Sequence, residues 1–232
     1  MSKAFDEEYP TERIVAGRFV AAALGLASAL AFGRTVMDFG RSMGWISGLW
    51  SMMFLYTHWA ELITAVIFIG IALGNRWCAR ASVVGSTLIL LGIMTVHYWL
   101  FSPHGDYFSA PLRAKVTHGP LLLAALVYWF MIVRPGQLRW RDAYYWTIVP
   151  LTYTAYGLIR GAMTGLYPYQ VADVNRYGYR VVFLLVGITY LLSLGTGLLI
   201  VFIDRLRSQR ASGTSEKPAG CKLIVPAGSG EV

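Results

Sequence analysis

Charged residues are scarce in this chain: they make up 14% of its 232 residues, whereas soluble domains carry about 25%. The only two cysteines, Cys78 and Cys221, lie far apart, which argues against a disulfide framework or a cysteine metal site. The formal net charge of +8 does not indicate nucleic acid, because the basic residues flank long apolar runs, where membrane topology accounts for them. The composition therefore argues against a soluble enzyme, a nucleic-acid-binding protein and a secreted disulfide scaffold.

Apolar runs of about 18 or more residues, each long enough to cross a bilayer as a helix, recur along the chain. They predict an all-α, polytopic integral membrane protein with six transmembrane helices. The predicted spans are 14–33, 46–73, 82–101, 112–133, 143–164 and 181–203. The first run follows an acidic segment and lacks a small-residue cleavage site, so we interpret it as a span and not as a cleavable signal peptide.

Six spans place both termini on one side of the membrane, and the basic residues predict which side. One set of loops and ends carries 13 basic residues: Lys3, Arg13, Arg18, Arg76, Arg80, Arg134, Arg139, Arg141, Arg205, Arg207, Arg210, Lys217 and Lys222. The other set carries 7: Arg34, Arg41, Arg113, Lys115, Arg160, Arg176 and Arg180. This bias predicts cytoplasmic termini in a multi-pass protein of the cell membrane. The chain then divides into a cytoplasmic N-terminal segment 1–13, a six-helix domain 14–203, and a cytoplasmic tail 204–232 that is first basic and then disordered.

Polar residues inside the apolar spans are the candidates for function, because the bilayer makes them costly. Glu61 is the one acidic residue deep in a predicted span, so we expect it to face the bundle interior, to pair with a cation or to be protonated. Arg160, at the outer end of the fifth span, is a possible partner; alternatively it reaches lipid headgroups or clamps a carboxylate. Tyr153 and Tyr167 lie in the same aromatic-rich region and are supporting candidates.

A hydroxyl and an imidazole are predicted at similar depth in the membrane. Thr57 lies about eleven residues into the second span, and His118 lies about seven residues into the fourth, which enters from the same side. An imidazole that accepts a hydroxyl proton activates the oxygen for nucleophilic ester cleavage. His58 follows Thr57 but points about 100° away round the helix, so we expect it to lie outside this pair.

The order of the motifs resembles a known family. The motifs are Tyr56-Thr57 in the second span, His118-Gly119-Pro120 in the fourth, Pro150 and Tyr153 in the fifth, and Arg160-Gly161 and Tyr167-Pro168-Tyr169 beyond it. Over residues 14–203 the chain resembles the bacterial "Pr-six-Pr" membrane proteins, which are similar to the animal androgen-induced protein and to the androgen-dependent regulator of tissue factor pathway inhibitor. The resemblance implies a six-span threonine hydrolase of fatty acid esters of hydroxy fatty acids, with Thr57 as nucleophile and His118 as catalytic histidine. The family usually has an amide residue where this chain has Glu61.

The leading hypothesis is a membrane-embedded hydrolase of lipid carboxylic esters, in which Thr57 attacks the carbonyl and His118 acts as general base and then as general acid. It requires a lipid ester substrate in the bilayer but no metal and no cofactor, with Arg160 or Tyr153 as candidate oxyanion donors. One alternative is a haem-binding membrane protein, in which His97 and His118 on adjacent antiparallel helices ligate one iron. Another is a non-catalytic lipid-binding protein or scaffold of the same fold. The acyl chain and the oligomeric state are left open.

Overall fold

The computed structural model describes residues 11–101 and 112–213, and within these ranges the chain forms nine α-helices and one 3-10 turn, without a strand. The helices are α1 Thr11–Met43, α2 Trp45–Met52, α3 Tyr56–Ala72, α4 Ala81–Phe101, α5 Leu112–Thr117, α6 Pro120–Ile132, α7 Trp140–Trp146, α8 Ile148–Thr164 and α9 Val174–Gly213; the 3-10 turn is Gln170–Ala172. The predicted disordered end of the tail and most of the predicted N-terminal segment 1–13 lie outside the described residues.

Four helical segments are long and apolar enough to cross a membrane: α1, α4, α9, and the segment Leu112–Ile132 that comprises α5 and α6. The pair α2 and α3 meets the same condition but bends by 98° at a short break. The described part of the chain therefore holds four such segments, or five if the bent pair counts as one span. The prediction of an all-helical, multi-pass membrane protein is confirmed at this level, while the number six and the placement of the termini stay predictions.

Large apolar side chains cover the outside of the helices. Side chains that are more than half exposed include Leu30, Ile46, Leu73, Leu184 and Leu192. Such continuous apolar surface is unfavourable in water, whereas hydrocarbon accommodates it without cost. Inside this surface, α1 packs against α2 and α3, α4 packs against α3 and α6, and α9 packs against α7. The packing of α1 against α3 needs Gly25, because a Cβ there would stand 2.8 Å from the backbone nitrogen of Ile69.

The helix α1 is longer than the predicted first span, because it continues to Met43 instead of ending near residue 33. At 1.5 Å per residue its 33 residues extend about 50 Å, beyond a hydrocarbon core of about 30 Å. In this extension Arg34 and Asp38 form an exposed ion pair at 3.1 Å with i,i+4 spacing, which supports a helix outside the hydrocarbon. The charged residues that end an apolar run here do not end the helix.

Three predicted spans are each divided into two helices, and of these the span 112–133 forms α5 and α6. The span 143–164 forms α7 and α8, and Pro150 accounts for the division because it has no N–H to donate to the carbonyl of Trp146 four residues earlier. The span 46–73 forms α2 and α3 with a break at residues 53–55, although the break contains neither proline nor glycine. Contacts from other parts of the chain must therefore hold this break.

The loop between α6 and α7 is tied to α9 through Asp204. Its carboxylate oxygen Oδ2 accepts the backbone N–H of Leu138 at 3.0 Å, and both groups are buried. Arg207, one turn later on α9, lies 3.6 Å from the other oxygen of Asp204. This contact fixes the end of the last helix against the middle of the chain.

Candidate functional site

Carbonyl groups at the break between α2 and α3 accept hydrogen bonds from side chains. The donor and carbonyl pairs are Arg160 with Trp50 (2.6 Å), Trp59 with Met53 (2.9 Å), and Tyr153 with Phe54 (2.8 Å). Backbone groups within a membrane need such partners, because hydrocarbon offers none. Two of the donors come from α8, so α8 determines where α3 begins. Thr57 consequently lies in the first turn of α3 and not about eleven residues inside a continuous helix, as the uninterrupted span predicted.

Thr57 faces the loop between α8 and α9 through Tyr169. The Tyr169 hydroxyl accepts the backbone N–H of Tyr56 at 3.2 Å and interacts with the hydroxyls of Thr57 and Tyr153. Burial raises the pKa of the Tyr169 hydroxyl, and the hydrogen bonds from its neighbours oppose this rise without cancelling it. Tyr169 is thus a neutral phenol that both donates and accepts beside Thr57.

A cavity of about 100 Å³ opens next to Tyr169, between α4, α8 and α9. Its wall is mostly apolar with a few polar groups, and it includes His97, Tyr153, Thr154, Leu158, Tyr169 and Val186. We call it the aromatic cavity. Of the six site residues predicted from the sequence, Tyr153 alone lines it. An apolar wall with a few placed polar groups is typical of a site for a small apolar ligand.

Glu61 pairs with His58 and not with Arg160. The distance from His58 Nδ1 to Glu61 Oε2 is 3.1 Å, and the two side chains are 3% and 1% exposed. The i,i+3 spacing places both on one face of α3, where Ser28 of α1 also donates to the Glu61 carbonyl. His58, which we expected to lie outside the pair of Thr57 and His118, contacts the buried carboxylate of Glu61.

His118 lies at the junction of α5 and α6 with one ring nitrogen anchored. Its Nδ1 lies 3.1 Å from the carbonyl of Ala114 and 2.9 Å from the hydroxyl of Thr117, and the ring stacks on Tyr98 with centroids 3.8 Å apart. Its Nε2 is buried and has no hydrogen-bond partner among the described residues. When Nδ1 donates to the Ala114 carbonyl, Nε2 keeps its lone pair, which is the tautomer of a general base.

The two predicted catalytic residues, Thr57 and His118, have different hydrogen-bond partners. His118 lies within electrostatic range of His58. We call His58, Glu61 and His118 the histidine cluster. Thr57 instead interacts with Tyr169, and within the described residues no hydrogen bond joins its hydroxyl to His118.

Arg160 and Tyr167 make structural contacts. The Arg160 guanidinium donates to the Tyr156 hydroxyl at 2.7 Å and covers the Trp50 ring at 4.1 Å, besides bonding to the Trp50 carbonyl. The Tyr167 ring packs against Gly161, where a Cβ would lie 2.2 Å from the ring. A glycine is therefore needed at position 161 for this loop to pack against α8. Arg160 and Tyr153, the two predicted oxyanion donors, instead donate to backbone carbonyls.

The two histidines of the haem hypothesis have different surroundings. His97 lines the aromatic cavity, and its Nδ1 lies 3.0 Å from the Ile93 carbonyl of its own helix, whereas His118 stacks on Tyr98. In residues 11–101 and 112–213 no group of three or more metal-ligating side chains converges. A haem iron needs only two histidine ligands, so the haem pair stays a prediction.

No protein-family model, curated protein or solved structure matches this chain. The family resemblance therefore stays a prediction that rests on the motifs quoted above.

Proposed function

We propose that the protein is a membrane-embedded hydrolase of lipid carboxylic esters, with His118 as general base and Thr57 as nucleophile. The observation that supports this most is the ring of His118, whose Nδ1 is anchored while its buried Nε2 lacks a partner among the described residues. A buried polar atom without a partner is costly to a structure and often marks a functional position. A hydroxyl that approaches Nε2 would supply the missing hydrogen bond.

The substrate's acyl chain would occupy the aromatic cavity, which brings the ester carbonyl next to Tyr169 and Thr57. The reaction requires the Thr57 hydroxyl to leave Tyr169 and to approach Nε2 of His118 to about 2.6–3.2 Å, directly or through one water. Because threonine occupies discrete χ1 rotamers, this movement is a switch between two states. Tyr169, released from Thr57, is then free to donate to the developing oxyanion.

The chemistry follows the general course of acyl transfer. The Thr57 oxygen adds to the carbonyl carbon while His118 takes its proton. The intermediate collapses to an acyl-threonine, and the departing alcohol takes that proton back from His118. Water then adds to the acyl-threonine with the same base, which releases the fatty acid and restores the Thr57 hydroxyl.

The test compares Thr57→Ala, His118→Ala and the double variant. We expect similar residual rates for all three, each at least about a hundredfold below wild type, because either loss disables the same step. Thr57→Ser should keep part of the activity, since the hydroxyl survives. The measurement is fatty acid release from a panel of lipid esters by purified protein in detergent. Thr87→Ala is the matched control, because Thr87 is fully buried and its hydroxyl bonds to Val84 within its own helix.

Several outcomes would contradict this assignment. Thr57→Ala cleaving the same ester as fast as wild type would exclude Thr57 as nucleophile. Loss of turnover in His58→Ala but not in His118→Ala would move the base to His58. A folded wild type that turns over no ester would exclude the hydrolase.

A second candidate is non-catalytic binding of an apolar lipid, which the mostly apolar wall of the aromatic cavity favours. Gly157 lines this cavity, and a Cβ there would stand 3.1 Å from Pro168. Gly157→Leu should therefore obstruct the cavity and weaken the binding of a fluorescent fatty acid to the protein. On this hypothesis Thr57→Ala binds lipid as wild type does, and neither protein releases fatty acid from esters.

A further inference from the structure

The wall of the aromatic cavity is polar in places without carrying a carboxylate, an ammonium or a guanidinium group from the described residues. Tyrosine, threonine and serine side chains supply its hydroxyls, and none of the residues of the histidine cluster lines it. His97 contributes an imidazole, whose Nδ1 lies 3.0 Å from the Ile93 carbonyl. A charged ligand group would find only this imidazole as a partner, and a buried charge without a good partner is costly.

The Tyr56 hydroxyl differs from several other hydroxyls of this wall. Four of those donate to backbone carbonyls at 2.6–2.8 Å, namely the hydroxyls of Thr147, Tyr153, Thr154 and Ser193. The Tyr56 hydroxyl is buried and has no hydrogen-bond partner among the described residues. Tyr56 as a whole is 3% exposed, so bulk solvent does not supply a partner either. A buried donor left unpaired is costly, and a ligand oxygen in the cavity would remove that cost.

Other contacts of Tyr56 hold its backbone and its ring in place. Its backbone N–H donates to the Tyr169 hydroxyl at 3.2 Å, and its ring packs edge-on against Tyr153 with centroids 5.1 Å apart. Tyr56 also directly precedes Thr57 at the start of α3. A phenol in a fixed position can donate one hydrogen bond to a carbonyl, ester or alcohol oxygen. A site arranged in this way disfavours a ligand without the oxygen, because its donor then stays unpaired.

We propose that the aromatic cavity selects an uncharged, oxygen-bearing lipid group and that the Tyr56 hydroxyl donates a hydrogen bond to its oxygen. The substrate class is then a neutral ester, without an ionised carboxylate or phosphate close to the ester bond. That this ligand is a substrate rests on the proposed function, whereas the preference in binding does not. The test therefore measures binding and not turnover.

The test follows the melting temperature of the purified full-length protein in a neutral detergent, at about pH 8, where a carboxylic acid is ionised. A cavity of about 100 Å³ suits ligands of about six carbons, so 2-hexanone, hexane and hexanoate are titrated separately. The ketone carries the carbonyl of an ester and cannot be hydrolysed. With concentrations measured in the micelle, we expect half-saturation by 2-hexanone at a concentration about fivefold below that of hexane. Hexanoate should need at least about tenfold more than 2-hexanone.

Variants tie the preference to the Tyr56 hydroxyl. Tyr56→Phe should raise the half-saturating concentration of 2-hexanone about fivefold and leave that of hexane unchanged, because only the donor is lost. Tyr128→Phe is the matched control, since Tyr128 is a buried tyrosine of α6 outside the lining. Gly157→Leu should remove stabilisation by both ligands, because it obstructs the cavity.

The ligand series in the wild-type protein can overturn the proposal even if a variant fails to fold. Equal half-saturating concentrations of 2-hexanone and hexane, or no stabilisation by 2-hexanone, would exclude the hydrogen bond. Hexanoate that binds as tightly as 2-hexanone would exclude the selection against charge. An unchanged affinity of Tyr56→Phe for 2-hexanone would exclude Tyr56 as the donor. A protein that shows the expected preferences but cleaves no ester would contradict the proposed hydrolase and leave the binding preference standing.

Discussion

Two buried acidic residues, Glu61 and Asp204, each have a specific partner. Glu61 is 1% exposed and pairs with His58, and Asp204 is fully buried and accepts the N–H of Leu138. The ion pair of Arg34 and Asp38, by contrast, is exposed. Loss of one partner of a buried pair leaves the other without compensation, whereas an exposed pair contributes little. Stability at this scale therefore depends on a few buried polar contacts.

The first prediction at this scale concerns Glu61. We expect Glu61→Ala to lower the free energy of unfolding by about 3 kcal/mol or more, because His58 loses its partner. Glu61→Gln should cost less, since its amide oxygen still accepts a hydrogen bond. The double variant Glu61→Ala/His58→Ala should cost less than the sum of the single variants, as coupled residues do. Thermal melting of the purified variants in detergent measures these losses. If Glu61→Ala and Glu61→Gln both melt at the wild-type temperature, the pair does not contribute to stability.

Asp204 permits a matched comparison between a buried and an exposed carboxylate. Asp204→Ala should cost about 1.5–3 kcal/mol, the usual worth of a hydrogen bond to a charged group, because the Leu138 N–H stays buried without an acceptor. Asp204→Asn keeps an acceptor oxygen and should cost less. Asp38→Ala should cost about 0.5 kcal/mol or less, because its ion pair is exposed. Equal melting temperatures of Asp204→Ala and Asp38→Ala would contradict this ranking.

At the scale of elements, the break between α2 and α3 is the feature that sets the site. It places Thr57 in a first turn, and side chains from α8 supply donors to the carbonyls it exposes. The Tyr153 ring also packs against Tyr56 with centroids 5.1 Å apart. Tyr153 therefore joins the two helices through both its ring and its hydroxyl.

Tyr153→Phe separates these two contributions. The ring contacts remain, but the Phe54 carbonyl loses its donor, so we expect a loss of about 1–3 kcal/mol. Thr57 should also be positioned less well. The rate of any ester hydrolysis should therefore fall by more than the loss of stability accounts for. Tyr145→Phe is the control, because Tyr145 is 56% exposed on α7. A Tyr153→Phe variant as stable as Tyr145→Phe would show that the hydroxyl does not hold the break.

The apolar runs predict the helices better than they predict the breaks. The third predicted span, 82–101, agrees with α4 to one residue, and Pro150 is a visible reason for the division of the fifth. The break at residues 53–55 contains no proline or glycine that would predict it. Of its three donors Trp59 is six residues away, whereas Arg160 and Tyr153 are about a hundred residues away in sequence. The i,i+3 spacing of His58 and Glu61 in the sequence places the two residues on one face of a helix. The approach of Tyr169 to Thr57 has no such sequence pattern, since it depends on how α8 and α9 pack.

For the whole molecule, one end of the bundle holds both a cavity lined by four arginines (Arg13, Arg18, Arg76 and Arg134) and the contact of Leu138 with Asp204. The excess of basic residues predicts that this end is cytoplasmic. Intact cells that carry Leu166→Cys or Gln137→Cys in a cysteine-free background are treated with an impermeant thiol reagent. We expect Leu166→Cys, in the exposed loop after α8, to be labelled and Gln137→Cys, in the loop before α7, to remain unlabelled until the cells are opened. The reverse pattern would invert the orientation.

The hydrogen bond between Leu138 and Asp204 also limits how early the chain can complete its fold during biosynthesis. The two residues are 66 positions apart. At about 5–20 residues per second, the ribosome makes Asp204 roughly 3–13 s after Leu138. During that interval the Leu138 amide lacks its native acceptor, so the loop it belongs to cannot adopt its final arrangement until the last helix has been made. A nascent chain released before Asp204 would contain most of the helices and still lack the contact that completes their assembly.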